Sequence, residues 1–147
     1  MVKNLLRSFV VIPALLLGLS AGLAGNAQPA AASSVYLATN NGVTYSFTKS
    51  VHSPAFSNSR RGYLKIHLQR SCATTDGSFI VRLQKRVGSN WVVQTVTERI
   101  RCTTSRGYVT QTWSSQPAGS YRIEFYALTG TNQKRIHYWG VYRSDTP

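Results

Sequence analysis

Residues 62 to 102 constrain the fold most, because alternating apolar and polar runs are interleaved there with the only two cysteines of the chain, Cys72 and Cys102. In Tyr63-Leu64-Lys65-Ile66-His67-Leu68-Gln69-Arg70, the residues Leu64, Ile66 and Leu68 share one face of a period-two strand, and Lys65, His67 and Gln69 share the other. Such a strand is half buried. Two further steps in the same parity place Cys72 inward. Val92, Val96, Ile100 and Cys102 share a parity in the later run, so both thiols are expected to face the core. Between the cysteines, Phe79, Val81 and Leu83 alternate with Ile80, Arg82 and Gln84, and Val87-Gly88-Ser89-Asn90 is a turn into Trp91-Val92-Val93. Residues 78 to 101 therefore read as a hairpin. A Cys72–Cys102 disulfide would tie its far end to the preceding strand.

The start of the chain has the three parts of a secretory signal: Lys3 and Arg7, an apolar run from Phe9 to Leu23, then small residues ending at Ala27, with Ala32 as a later cleavage point. Pro13, Gly18, Ser20 and Gly22 interrupt the apolar run, which is too broken for a membrane span of about 20 residues. Asn26 stands where lipid attachment would need a cysteine. The expected organisation is a cleaved signal over 1–27, a flexible leader over 28–34 and a single domain over 35–147, secreted to the outside of the cell. Export fits a paired, oxidised set of cysteines. His52, His67 and His137 are dispersed without metal-type spacing, so neither a metal nor a cofactor is expected.

Val35-Tyr36-Leu37-Ala38 and Val43-Thr44-Tyr45-Ser46-Phe47 flank Thr39-Asn40-Asn41-Gly42, a strong hairpin signal. Residues 49 to 61 hold Pro54, many small polar side chains and no period, and read as a long loop carrying Arg60 and Arg61. After Cys102, strands are expected at Tyr108–Trp113, Tyr121–Ala127 and Arg135–Tyr142. The stretch Pro117-Ala118-Gly119-Ser120-Tyr121-Arg122-Ile123 resembles the turn-Gly-x-Tyr opening of strands in immunoglobulin-like sandwiches. Seven or eight short strands with almost no helical period imply an all-β chain folded as an antiparallel β-sandwich, immunoglobulin-like or related.

Removing the expected signal leaves 15 basic against 4 acidic residues, a net charge of +11. A field of that sign favours polyanions. Asp76, Glu98, Glu124 and Asp145 are the only acids, too few and too scattered for a carboxylate pair, and no nucleophile elbow or phosphate-binding glycine loop occurs. The chain reads as a basic binding module without a catalytic role, whose partner is an anionic polymer or cell-surface component. Lys65, Arg82, Arg86, Arg99, Arg101, Arg135 and Arg143 are the candidate anion-binding residues, since each alternates with inward positions. Trp91, Tyr126 and Trp139 are the candidate aromatic contacts. Two alternatives come from other classes. A ribonuclease-like enzyme would use His67, His137 and Glu124 for acid-base cleavage, and an inhibitor or toxin would meet a protein partner through residues 49–61.

Overall fold

The computed structural model describes residues 34–147, which form β-strands and turns without a helix among the described residues. The expected signal peptide and nearly all of the leader lie outside them. The strands are β1 (Ser34–Thr39), β2 (Tyr45–Phe47), β3 (Ser50–His52), β4 (Phe56–Asn58), β5 (Gly62–Cys72), β6 (Ser78–Val87), β7 (Asn90–Val96), β8 (Ile100–Arg101), β9 (Gly107–Gln116), β10 (Gly119–Thr129) and β11 (Lys134–Ser144). Every pairing among them is antiparallel. The first sheet has the order β1-β11-β5-β9, with β2 also on β11. The second has the order β3-β10-β6-β7, with β4 on β10 and β8 on β6.

The alternating runs decide what lies between the sheets. Leu64, Ile66 and Leu68 of β5 face Phe79, Val81 and Leu83 of β6 and Tyr121, Ile123 and Phe125 of β10 in one continuous core. Phe47 of the first sheet meets Phe79 and Phe125 of the second, with ring centroids 5.8 and 6.3 Å apart. Each fully buried side chain of this kind contributes about 1.5–3 kcal/mol. The antiparallel sandwich is thus as expected. The Cys72–Cys102 disulfide is present, and it links the end of β5 in one sheet to the segment just after β8 in the other. The turn at the start of β10 closes on itself, with the Tyr121 hydroxyl donating to the Pro117 carbonyl at 2.6 Å.

Several local expectations are corrected. The eleven strands outnumber the seven or eight expected, because residues 49–61 are not a loop throughout: β3 and β4 both add to the edge of β10. Nor do β1 and β2 pair with each other. Both run along β11, β1 at residues 140–144 and β2 at 134–136, so Asn40-Asn41-Gly42 is a jog within one edge. Asn41 takes a positive φ of 48° there. The expected 78–101 hairpin holds for β6 and β7, where Val87 pairs with Asn90. Past Val96 the chain leaves the ladder and returns as β8 beside the start of β6. Val92 and Val96, expected inward, are exposed at 44% and 46%: β7 is the sheet edge, and a register shift between the Leu83–Thr95 and Gln84–Val93 pairs sets Val92 beside Lys85 but turns Val96 to the outer face beside Arg82.

The C-terminal strand breaks its own parity. Between Ile136, opposite Arg70, and Tyr138, opposite Gln69, β11 carries one extra residue, His137. Such a bulge re-aims everything after it. Ile136 and Trp139 therefore both face the core, Trp139 at 1% exposure, and Arg143 follows at 6%. Asn40 supports the bulge from the far side. Its Nδ2 donates to the carbonyls of Val43 and His137 at 2.7 and 2.9 Å, and its Oδ1 accepts from the Trp139 amide at 3.4 Å.

Candidate functional site

With the inward parity of β5 settled, the strand register fixes which residues share the outer face of the first sheet. Outward positions Lys65, His67, Gln69 and Ser71 lie in rows with their neighbours. Lys65 stands between Tyr142 of β11 and Thr112 of β9, His67 between Gly140 and Thr110, and Gln69 between Tyr138 and Tyr108. Tyr36 of β1 extends the first row beyond Tyr142, and Arg135 stands opposite Ser71. The six steps of extended chain from Lys65 to Ser71 make a strip about 20 Å long.

The strip is ordered by contacts among its own side chains. The rings of Tyr36 and Tyr142 meet edge to face at 4.8 Å, and His67 meets Tyr142 in the same way at 5.2 Å. His67 Nδ1 is 3.0 Å from Thr110 Oγ1, and Gln69 Nε2 donates to the Tyr108 hydroxyl at 2.6 Å. The Tyr138 and Tyr142 hydroxyls are 3.2 Å apart. Hydrogen bonding to Tyr142, followed by burial, holds the Tyr138 phenol above its ordinary pKa. Tyr108 is nevertheless 78% exposed. An open groove of about 440 Å³ runs past Lys65, His67, Thr110, Thr112 and Tyr142.

Cations stand at both ends of the strip, Lys65 at one and Arg135 at the other. His137 Nε2 lies 2.8 Å from Ser71 Oγ near the Arg135 end. Its pKa is pushed down by burial and then by the positive charges of Arg106 and Arg135. No aspartate or glutamate occurs in any strand of this sheet.

The other expected anion contacts are distributed elsewhere. Arg82 and Arg86 lie on the outer face of the second sheet, as do Trp91 and Tyr126. Arg82 stacks on Tyr126 with its guanidinium carbon 3.6 Å from the ring centroid. Arg99 precedes β8 and Arg101 ends it, at the disulfide end. Arg99 donates to Ser78 Oγ at 2.8 Å and to Thr129 Oγ1 at 3.2 Å, while Arg101 stands exposed opposite Ser78. Arg143 and Trp139, expected outward, are turned inward by the bulge in β11. Arg143 donates to Ser59 Oγ at 3.0 Å and so fastens the chain before β5.

His67, His137 and Glu124 do not converge: both histidines belong to strands of the first sheet, whereas Glu124 is on the outer face of the second, beside Arg82, Gln84 and His52. Sequence reasoning missed Tyr36, Tyr108, Tyr138 and Tyr142 as a group. The available signal was the spacing Tyr138-x-Gly140-x-Tyr142, two aromatics on one side of a strand with a gap between them.

No protein-family model and no curated protein matches the chain. Among solved structures, the chain is similar to the C-terminal carbohydrate-binding module of a marine laminarinase from Zobellia galactanivorans, at 17% identity and a TM-score of 0.49 over 76% of this chain and 91% of that one. It is also similar to a xylan-binding domain from Paenibacillus barcinonensis, at 10% identity and a TM-score of 0.48 over 64% and 65%. A carbohydrate-binding module of a Cellvibrio mixtus lichenase, solved in complex with cellotriose, aligns at 12% identity and a TM-score of 0.45 over 80% and 90%. Likeness at this level carries no argument, and the sandwich is defined by its own strand pairings.

Proposed function

We propose that the protein is a secreted, non-catalytic module that binds an anionic polymer outside the cell along the outer face of its first sheet. The observation that carries the reading is the composition of that face: four tyrosines and His67 in register, Lys65 and Arg135 at the ends, and no carboxylate in any strand of the sheet. Tyrosine rings and hydroxyls contact sugars or bases at small entropic cost, having only two side-chain torsions to fix. The flanking cations attract the polymer's charge, and the absence of acids leaves nothing on the sheet to repel it. The protein's excess of cations adds long-range steering.

The test is retention of the oxidised protein on RNA, DNA, polygalacturonate and a neutral glucan across a salt series, with polymer length checked afterwards. Retention of at least one anionic polymer, weakening linearly in log salt and reduced about tenfold or more in Tyr108→Ala and Tyr36→Ala, is expected. Equal binding of the neutral glucan, or no loss in either variant, would overturn the reading. Shortened RNA would move the proposal to a nuclease.

A further inference from the structure

The outer face of the second sheet carries a side-chain network that the reading above does not use. Glu124 of β10 is buried to 7% exposure, although it points away from the core. Its carboxylate accepts from Gln84 Nε2 at 2.9 Å and from Arg82 Nη1 at 3.3 Å, and His52 Nε2 lies 3.6 Å away. Gln84 is thereby fixed, and its Oε1 accepts from Arg122 Nε at 2.6 Å. The Arg122 guanidinium lies over the Trp91 ring, its carbon 4.7 Å from the centroid. Arg86 stands opposite Trp91 in the register of β6 and β7.

Arg122 is therefore held twice, by one nitrogen and by one face. Nε is spent on Gln84, while neither terminal nitrogen has a protein partner among the described residues. A guanidinium held by one nitrogen and against a ring, with its fork unspent, has already lost much of the torsional freedom that binding would otherwise remove. Its two parallel N–H donors match the paired oxygens of a carboxylate, sulfate or phosphate. A lysine at this place would offer charge alone, and a solvated arginine would offer the fork without the orientation. The one nearby carboxylate, Glu124, is already committed to Arg82 and Gln84 and lies at the other end of that chain of bonds.

We infer that Arg122, with Arg86 beside it at Trp91, forms a second oxyanion site on the face opposite the tyrosine strip, taking a carboxylate or sulfate group of an acidic polysaccharide. With the two sites on opposite outer faces of a sandwich, one molecule bridges two polymer strands. This inference does not need the tyrosine strip to bind the same ligand, since a different set of variants reports on each face.

Calorimetric titration of the oxidised protein at low salt with a short heparin oligosaccharide, and with an oligogalacturonate of matched length, tests it. A binding event is expected for at least one of the two. In a Tyr36→Ala/Tyr108→Ala background, which removes the contribution of the tyrosine strip, Arg122→Gln weakens it at least tenfold and Arg122→Lys nearly as much. The oligosaccharide that binds tells sulfate from carboxylate. With the long-chain polymer, the wild-type protein raises turbidity by cross-linking, and Arg122→Gln binds without doing so. Binding of neither oligosaccharide, an unchanged titration in Arg122→Gln, or full binding by Arg122→Lys would overturn the site. Thermal unfolding of each variant, expected to match the wild type, separates lost binding from lost fold.

Discussion

The hydroxyls of Tyr138 and Tyr142 lie 3.2 Å apart over Gly140, which stands between them on β11. The contact depends on the missing side chain. A Cβ at position 140 would come within 2.6 Å of the Tyr138 oxygen and 3.3 Å of the Tyr142 ring. In Gly140→Ala the Tyr138 ring swings outward, because its hydroxyl is the free end of a side chain. The melting temperature is expected to shift little, while polymer binding falls several-fold. Since the bond to Tyr142 is the largest cause of the raised Tyr138 pKa, a spectrophotometric titration of the variant should show one phenol ionising at lower pH than in the wild type. Superimposable titrations would refute this account of the strip.

Thr97 substitutes a side chain for a missing strand. Between the end of β7 and the start of β8, the Val81 amide on β6 donates to Thr97 Oγ1 at 3.0 Å, and the Thr97 amide returns a bond to the Val81 carbonyl at 2.9 Å. Thr97→Val keeps the shape and removes the acceptor, leaving a buried amide unpaired. The expected loss is about 1–3 kcal/mol in urea unfolding, with an unchanged slope.

The core was legible in the sequence where period two runs unbroken. Leu64 to Leu68, Phe79 to Leu83 and Tyr121 to Phe125 sit where the alternation places them, because a strand covered on one face has no other way to bury those side chains. The misreadings have tertiary causes. Trp139 and Arg143 point inward only because His137 is an inserted residue, and nothing local distinguishes a bulge from a continuing strand. The jog at Asn40-Asn41-Gly42 has the composition of a hairpin, but β11 is long enough to accept β1 and β2 end to end. Val92 and Val96 alternate like one buried face, but the register shift within β7 turns Val96 outward beside Arg82 and leaves Val92 on the sheet edge. The candidate site depended on register: Tyr36, Tyr108 and Tyr142 are far apart in the chain and meet only when β1, β11, β5 and β9 are placed in order.

Cys72 and Cys102 close a loop with a sequence separation of 30. Two backbone bonds lie beside it, the Cys72 amide donating to the Thr103 carbonyl at 2.8 Å and the Cys102 amide to the carbonyl of Gly77, in the turn before β6, at 3.1 Å. Constraint of the unfolded chain by a loop of this length is worth about 3–4 kcal/mol. The double variant Cys72→Ala/Cys102→Ala should lose that amount in urea unfolding and keep the native sheet signal in circular dichroism. A loss under about 1 kcal/mol would show that the hydrogen bonds alone hold β5 to β8.

Two histidines make stability depend on pH in the same direction. The His137 pKa is lowered by burial, then by Arg106 and Arg135; that of His52 is lowered by burial, then by Arg122, against the opposing pull of Glu124. Each folded-state value lies below that of an ordinary histidine, about 6.5, so as pH falls the unfolded chain takes up the proton first. The stabilisation is present above about pH 6.5 and is lost as pH drops from there through the folded-state pKa. The melting temperature should therefore decline from about pH 7 to pH 5, less steeply in His137→Gln and least in the His52→Gln/His137→Gln double variant. A wild-type melting temperature that rises over this range would contradict the assignment.

Lys65 and Arg135 differ from the other exposed cations in standing at the two ends of one carboxylate-free face, which gives the salt dependence of binding a predictable size. Each polymer charge neutralised by a cation contributes about 0.7–0.9 to the slope of log affinity against log salt. Lys65→Gln should reduce the slope by about one such unit, Arg135→Gln by another, and the double variant by their sum, since the residues are far enough apart to act independently. Arg101→Gln, at the disulfide end and outside the strip, removes the same charge and should change the slope by much less. If all three single variants lower the slope equally, the cations act as a diffuse coat and the tyrosine face has no privileged role; unequal slopes, with Lys65 and Arg135 dominant, place the polymer on the first sheet.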